Sequence, residues 1–331
     1  MIEIDGSHGE GGGQILRTAV ALSAIIKEDI KINNIRHNRP KKGLKAQHLK
    51  SIEAVGMMCD ADIKGLFPGS TQIYFSPSEI RELKTQIQIG TAGSIPLLMQ
   101  SIMPIAAYSP KSTKLRITGG TDVAWSPSID YLKELTLNAL SKMRYKANIR
   151  LLERGYYPKG GGVAEIEIEP STLKGFDFKT VKKEIHGVSH CSKLPEHVAK
   201  RQADSAQKVL EENETDVYID IETENYHSSG SGITLWSGLV GSVNTGKKGM
   251  PAEKVGSQAA QILLDELKSQ AAVDIHLADQ LIPYMGLAGS GSFTTRYPTP
   301  HCLTNIHVTE QLLDVHFTIN KNNGLVEISV E

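Results

Sequence analysis

Asp5-Gly6-Ser7-His8-Gly9-Glu10-Gly11-Gly12-Gly13-Gln14-Ile15-Leu16-Arg17 is the stretch that decides the reading of this chain. Before it, Ile2 to Asp5 alternates like the end of a strand. Within it, five glycines fall among the eight residues from Gly6 to Gly13. After it, Ile15, Leu16, Val20, Leu22, Ile25 and Ile26 recur at helical spacing, which predicts a helix from Gln14 to Ile26. The unit is strand, glycine-rich loop, helix. Glycines there let backbone N–H groups approach an anion, and a helix N-terminus adds its dipole. Glu10 is out of place in a pure phosphate cradle, but a carboxylate beside phosphates is tolerable when a divalent cation lies between them. Arg17 lies in the first turns of the helix, on the side that can reach back to the loop. Two common glycine motifs do not fit. A Walker loop ends in Gly-Lys-Ser/Thr, and this one ends Gly-Gln-Ile; the dinucleotide fingerprint needs a third glycine where Gln14 stands. A tight turn with no ligand is the alternative for the glycines taken alone.

A chain of 331 residues suggests two domains, or one large domain with an insertion. Lys and Arg number 36 against 37 Asp and Glu, for a net charge of -1, so any contact with nucleic acid must rest on a local patch. Cys59, Cys191 and Cys302 show no paired spacing, which argues for a reducing compartment. No basic-then-apolar leader precedes the first strand. The longest apolar run, Ile95 to Tyr108, holds Gln100 and two prolines and is too short to span a bilayer. These features point to a soluble, cytoplasmic protein.

Asp29 to Ile35 reads as a strand, followed by the densest basic stretch, Arg36-His37-Asn38-Arg39-Pro40-Lys41-Lys42-Gly43-Leu44-Lys45-Ala46-Gln47-His48. Arginine forks suit phosphate oxygens, although most charge runs are solvated loops. A helix follows with Leu49, Ile52, Val55 and Met58 on one face, then strand, turn, strand from Ala61 to Phe75. Thr85 to Ile89 is a strand ending in Gly90-Thr91-Ala92-Gly93-Ser94, with a helix through Leu97, Leu98, Gln100, Ile102 and Ile105. The opening pattern thus recurs. Gly286-Leu287-Ala288-Gly289-Ser290 repeats the Gly-x-Ala-Gly-Ser string, which suggests an internally repeated α/β unit. Lys114 to Thr118 leads to Gly119-Gly120-Thr121-Asp122 and Pro127, then an amphipathic helix from Ile129 to Met143 and a strand from Ala147 to Leu152. The triple glycine 160–162 reads most simply as a hairpin connection.

Near Phe176 the character changes. A polar helix from Leu194 to Asn213, a Ser/Gly/Glu-rich segment, an apolar strand from Ile233 to Val240 and a helix from Ala252 to Lys268 read as an inserted α/β domain, residues 177–273. Residues 1–176 and 274–331 then form the larger domain. His186, His190, Cys191 and His197 lack metal-pair spacing, so structural zinc is not expected. Asp274 opens a helix on which His276 and Gln280 share a face with Asp279 beside them, an ordinary polar face on spacing alone. Pro298 and Pro300 stiffen the approach to His301, and Leu303 to Leu312 resume a buried element. A histidine at such a loop-to-core junction is either structural or a candidate nucleophile or proton carrier. A hairpin from His316 to Val330, turning at Asn322-Asn323-Gly324, ends the chain as given.

Taken in order, the opening glycine loop, the basic segment, GTAGS with Gln100, GGTD, YYPKGGG, HLADQ and PHCLTNI resemble the RNA 3'-terminal phosphate cyclase family in its archaeal form, along nearly the whole chain. The resemblance implies an α/β (α+β) fold of repeated βαβαββ units, like the C-terminal domain of a translation initiation factor, with a smaller inserted thioredoxin-like domain. It implies His301 as the catalytic residue and Glu10 as the metal-site residue. Adenylate contacts fall on Gln100, Pro127, His276, Leu277, Ala278, Asp279 and Gln280, and phosphate contacts on Arg17, Arg36, Arg39, Gln47 and His48. Some members carry tyrosine at the position of His276, and both rings can stack on adenine. The implied cofactors are ATP and a divalent metal, Mg2+ or Mn2+. The implied partner is RNA with a 3'-phosphate end, with no membrane and with homo-oligomerisation left open. The implied reaction proceeds through a histidine-AMP phosphoramidate and an RNA-(3')pp(5')-A anhydride to a 2',3'-cyclic phosphate. Two alternatives stand beside it. One is a non-catalytic relative that binds RNA in ribosome biogenesis and lacks the catalytic histidine, which His301 disfavours. The other is an enolpyruvyl-transferase-like enzyme, which would bind anionic small molecules and form no AMP adduct.

Overall fold

β1 (Ile2–Asp5) leads through the glycine loop into α1 (Gln14–Ile26), and β2 (Ile30–Asn33) returns parallel to β1. α2 (Ala46–Cys59) and the antiparallel strands β3 (Asp62–Lys64) and β4 (Ile73–Ser76) complete a βαβαββ unit with strand order β1-β2-β4-β3. The computed structural model describes residues 1–331 apart from Glu10, Thr91, 181–183, 213–215 and Asn323. The next unit repeats the pattern. β5 (Lys84–Gln88), α3 (Ile95–Ala106) and β6 (Thr113–Gly119) form a parallel crossover. α4 (Ile129–Tyr131) continues through a π-helical turn, Leu132–Thr136, into α5 (Leu137–Lys142). β7 (Lys146–Glu153) and β8 (Gly162–Glu169) close the sheet in the order β5-β6-β8-β7, the same order as in the first unit. Gly160 and Gly161 lie in the connection of this antiparallel pair, as expected, and Gly162 opens β8.

Four further strands and two helices follow. They are β9 (Ile185–Ser192), α6 (His197–Glu211), β10 (Val217–Glu224), β11 (Gly230–Ser237), β12 (Val240–Thr245) and α7 (Ala252–Ser269), with strand order β10-β9-β11-β12. The stretch from Ile233 to Val240, read as one strand, is instead the middle of a hairpin: β11 turns at Gly238, φ 63, and pairs antiparallel with β12. Apolar residues continue on both sides of the turn, from Ile233 to Trp236 and from Leu239 to Val240, so hydrophobicity alone did not mark it.

The third unit comprises α8 (Ile275–Ala288), β13 (Gly291–Thr295), α9 (Pro300–Leu312), β14 (Phe317–Asn322) and β15 (Leu325–Val330), with order β13-β15-β14. Its first-strand position is held by Phe176 to Phe178. Phe178 N donates to Ser292 O at 2.8 Å, Ser292 N to Phe176 O at 3.3 Å, and Asp177 pairs in parallel with Ser292. The chain therefore leaves the third unit after its first strand, builds the four-stranded sheet, and re-enters at α8. The repeat is thus carried by topology. The recurring Gly-x-Ala-Gly-Ser string does not carry it: residues 90–94 precede α3, whereas Gly286 to Ser290 terminate α8, with Gly289 as a left-handed cap at φ 66.

Apolar packing follows these units. One cluster runs through all three repeats, and a second, around Ile185, Leu210, Ile233 and Leu263, lies under the β9–β12 sheet. α1 is buried from Ile15 to Ala24 because α2, α3 and α9 pack around it. A helix enclosed on all sides must be apolar nearly all round, and its polar exceptions need partners. Among the described residues no helix is long and apolar enough to cross a membrane.

Charge joins the β9–β12 sheet to the second repeat. Arg154 is 1% exposed. Its guanidinium bonds Asp130 at 2.6 Å, Asp122 at 3.3 Å and Glu222 at 2.7 Å. His190 Nε2 lies 3.2 Å from Asp122, and the Tyr156 hydroxyl lies 2.8 Å from His190 Nδ1. Burial opposes the charge of Asp122, but His190 and Arg154 outweigh it and hold the carboxyl well below the usual carboxylate range. Asp122, Asp130 and His190 are close enough together to suggest a metal, yet Arg154 bonds both carboxylates and supplies their counter-charge. Removing one partner from such a group leaves buried charges uncompensated. Arg154→Met is expected to lower stability by about 3–5 kcal/mol. Urea unfolding of the two proteins checks this, and a loss below about 1 kcal/mol would show that the cluster is not needed for the fold.

Candidate active site

The glycine loop is shaped from both ends. Asp5 Oδ1 accepts from Ser7 N at 3.0 Å, from Ser7 Oγ at 2.7 Å and from Asn34 Nδ2 at 3.1 Å. Gly9, at φ 59, rests on the start of α9: a Cβ there would meet Thr304 Oγ1 at 2.5 Å. Gly13, just before α1, leaves room for the ring of His48, which a Cβ would strike, and lies beside Arg17 Nη1. Side chains from three elements thus converge on the glycines of this loop.

The basic segment folds over the other side of this loop. Asn38 Nδ2 donates to Ser7 O at 3.0 Å, and Arg39 Nη2 lies 3.4 Å from where a Cβ of Gly12 would be. Arg36 behaves differently. It is buried, has φ 54, and donates from Nη1 to Lys41 O at 2.6 Å and Gly43 O at 3.1 Å. It holds the basic loop in shape and shares its field with the site. His48 Nδ1 accepts from Lys45 N at 3.1 Å, which leaves Nε2 as the donor facing Gly13. Burial and the charges of Arg17, Arg36 and Lys45 push its pKa down to about 3, so the ring is neutral in ordinary buffers. Arg17 is buried, and burial brings its pKa down to about 10. Its Nη2 donates to Gln14 Oε1, while Nε has no hydrogen-bond partner. Gln47 clamps the second repeat: its Nε2 donates to Ser94 O at 3.2 Å and its Oε1 accepts from Ser94 N at 3.2 Å. Ser94 Oγ caps α3 at Leu97 N, 3.1 Å away, and meets Ser126 Oγ next to half-buried Pro127.

α8 and α9 bring the third repeat to the same place. His301 is not at a loop-to-core junction but is the second residue of α9, half-buried, after the N-cap Thr299 and Pro300. Proline is well suited to that first helical position. Thr299 Oγ1 accepts from Cys302 N at 3.1 Å and donates to Asp279 Oδ1 at 2.6 Å. Asn305 accepts from Gln14 Nε2 at 3.0 Å and Thr18 Oγ1 at 2.8 Å, and donates to Asp279 O at 2.6 Å. Asp279 therefore braces the helix that carries His301. Thr136 Oγ1, on the π-helical turn, donates to Gln280 Oε1 at 3.0 Å. Gln14, Thr18, Gln100, Thr136, Gln280 and Asn305 line a small pocket between these helices, where Gln100 Oε1 is buried without a partner. His276 is exposed in the first turn of α8, and Leu277 and Ala278 are fully buried in the core.

The expected residues thus divide. Arg17, Arg39 and His48 surround the glycine loop, which also touches the start of α9, and Gln100 and Gln280 line the adjoining pocket. Arg36, Gln47 and Asp279 bond mainly to protein groups. Glu10 lies outside the described residues. Sequence reasoning missed Thr18, Thr299 and Asn305. The available signals were an uncharged polar residue on an apolar helix face and a threonine directly before Pro300.

A family model described as RNA 3'-terminal phosphate cyclase matches residues 8–319. The chain belongs to the RNA 3'-terminal phosphate cyclase family. It is 56% identical to the RNA 3'-terminal phosphate cyclase of Methanococcoides burtonii over the whole of both chains. It is 47% identical to that of Archaeoglobus fulgidus, over 97% of this chain and 99% of the relative. It is 44% identical to that of Pyrococcus abyssi, over 98% and 96%. In this cyclase-family chain the repeated α/β units form the frame, and the converging loops are its candidate active site.

Two outcomes are expected from this geometry. Thr299→Ala removes an N-cap and is expected to cost about 1 kcal/mol, measured by thermal or urea unfolding; an unchanged stability would show the cap is dispensable. His48 takes up a proton near 6.5 when unfolded but only near 3 when folded. Its contribution to stability is therefore full above about 6.5 and erodes as pH falls from there toward 3. His48→Asn should flatten the pH dependence of unfolding in that window, and an identical slope in the variant would contradict the buried neutral ring.

Proposed function

We propose that this chain converts an RNA 3'-terminal phosphate to a 2',3'-cyclic phosphate at the expense of ATP, with His301 as the nucleophile. One observation carries the reading: the helix that bears His301 begins against a glycine-rich loop flanked by Arg17, Arg39 and neutral His48. A ring nitrogen of His301 forms a bond to the α-phosphorus of ATP, and the bond to the bridging oxygen breaks, releasing pyrophosphate. An oxygen of the RNA 3'-phosphate then takes the AMP group as the N–P bond breaks. The vicinal 2'-hydroxyl attacks the terminal phosphorus, loses its proton, closes the ring and expels AMP. Each step moves negative charge between phosphate oxygens, so donors fixed in advance are the main catalytic requirement.

The residues fit an anionic nucleotide. Arg17 Nε and Gln100 Oε1 are buried without protein partners, and the glycine loop leaves its backbone open to close approach. Arg17 and Arg39 meet the phosphates, His48 donates from Nε2, and Gln100 with Gln280 holds the nucleoside. Asp279 acts by positioning α9. A divalent cation, Mg2+ or Mn2+, would be held at Glu10 and would neutralise phosphate charge. We further propose an inserted domain within the expected 177–273, between the Phe176 to Phe178 strand and α8, supported by its separate sheet and apolar cluster.

The test is covalent labelling. Wild-type protein incubated with α-labelled ATP should acquire AMP in an acid-labile, base-stable form. His301→Ala should fold, acquire no label, and still cyclise RNA supplied already adenylated on its 3'-phosphate. Normal labelling of the folded variant would refute the assignment. A label stable in acid would point to a different acceptor.

A further inference from the structure

Trp125 lies between β6 and α4, with its side chain 97% exposed and its backbone left-handed at φ 62. Bulky residues rarely adopt that conformation, and an indole is rarely left wholly in water. Anchors on both sides impose it. Upstream, Thr121 N and Asp122 N both donate to Gly155 O, at 2.9 and 3.2 Å, and Asp122 is buried in the Arg154 cluster. Downstream, Ser126 Oγ bonds Ser94 Oγ, and Ser128 Oγ caps α4 at Tyr131 N, 3.0 Å away. The loop is tied down at each end, and Trp125 is the residue turned outward.

The same anchors set its neighbourhood. Ser94, which holds Ser126, is itself clamped by Gln47, two residues after Lys45 at the end of the basic segment. Lys41, Lys42 and Lys45 form no ion pair among the described residues. Arg36, partial burial, Lys41 and Arg39 push the Lys45 ammonium down, the mark of positive charge without local compensation. An indole in open solvent is thus joined, through Ser126, Ser94 and Gln47, to the end of a stretch whose lysines form no ion pair among the described residues. The small pocket lined by Gln100 and Gln280 has no room for a strand. An open aromatic face with adjacent cations suits a strand that continues beyond the site, because unpaired bases offer flat faces and their backbone offers phosphates.

We propose that Trp125 is the platform on which a base of the RNA strand just upstream of the 3'-phosphate stacks, with the strand's phosphates against Lys41 and Lys45. This rests on the cyclase reading above and adds where the strand is held. Stacking uses the π-face common to all bases, so recognition there is tolerant of sequence.

The experiment compares wild type, Trp125→Ala and Trp125→Phe on 3'-phosphorylated oligoribonucleotides of four residues and on a nucleoside 3'-monophosphate, at saturating ATP. Trp125→Ala should raise KM for the tetranucleotide by on the order of ten-fold. It should leave the monophosphate reaction and the RNA-independent labelling with AMP unchanged, and Trp125→Phe should recover most of the loss. Tyr218→Ala, an exposed aromatic on the edge strand β10, should change nothing. An unchanged tetranucleotide KM in Trp125→Ala overturns this inference alone. A raised KM for ATP in Trp125→Ala, read in a separate titration of ATP at fixed tetranucleotide, overturns it as well, by assigning the indole to the nucleotide. If the wild-type protein cyclises no oligonucleotide, the functional reading fails and takes this inference with it.

Discussion

The seating of α9 against α1 and α8 is the constraint on which the site depends. His301 is in the first turn of a helix whose start is capped by Thr299, and Thr299 in turn donates to Asp279. One turn on, Asn305 joins Gln14 and Thr18 of α1 to the backbone of Asp279. These bonds are buried, where an unmade bond is costly, so they specify one register between three helices. If α9 slid by one residue, the glycine loop would lose its contact at Thr304.

The repeats explain why so many loops meet there. In the first two units the loop after the leading strand and the start of the following helix occupy equivalent places, because both sheets have the same order and the same parallel pair. The Gln47 clamp on Ser94 then brings the two loops side by side. The third unit contributes its second helix, α9, to the same face. Loops after parallel strands are common ligand sites because helix N-termini converge there.

The β9–β12 sheet is attached differently. Its own apolar cluster makes it a coherent unit, and its junction with the second repeat adds buried charge to apolar contacts, with Trp236, Leu239 and Val243 packed against the larger cluster. Arg154 balances Asp122 and Asp130 in a space too closed for water to screen them, so the junction tolerates one arrangement of partners. The loop from Asp122 to Ser128 is fixed partly through that junction, which links the attachment of the sheet to the geometry beside the glycine loops.

The sequence by itself determined the local units: the strand, glycine loop and helix at Asp5 to Ile26, the recurrence at Thr85 to Ile105, and the basic segment before α2. Periodicity and glycine placement are properties of neighbours along the chain, so they are legible there. The ordered motifs also pointed to the family. Only the tertiary structure decided which polar residues face the site and which brace it. Arg36 and Arg39 look alike in the sequence, but Arg36 bonds carbonyls of its own loop while Arg39 leans over Gly12. Asp279 and Gln280 are adjacent, yet one caps α9 through Thr299 and the other lines the pocket. The Gly-x-Ala-Gly-Ser string misled because one copy starts a helix and the other ends one. Several such distinctions depend on distant hydrogen-bond partners, as with Gln14 and Asn305, and even the local bonds of Arg36 follow from how its loop folds.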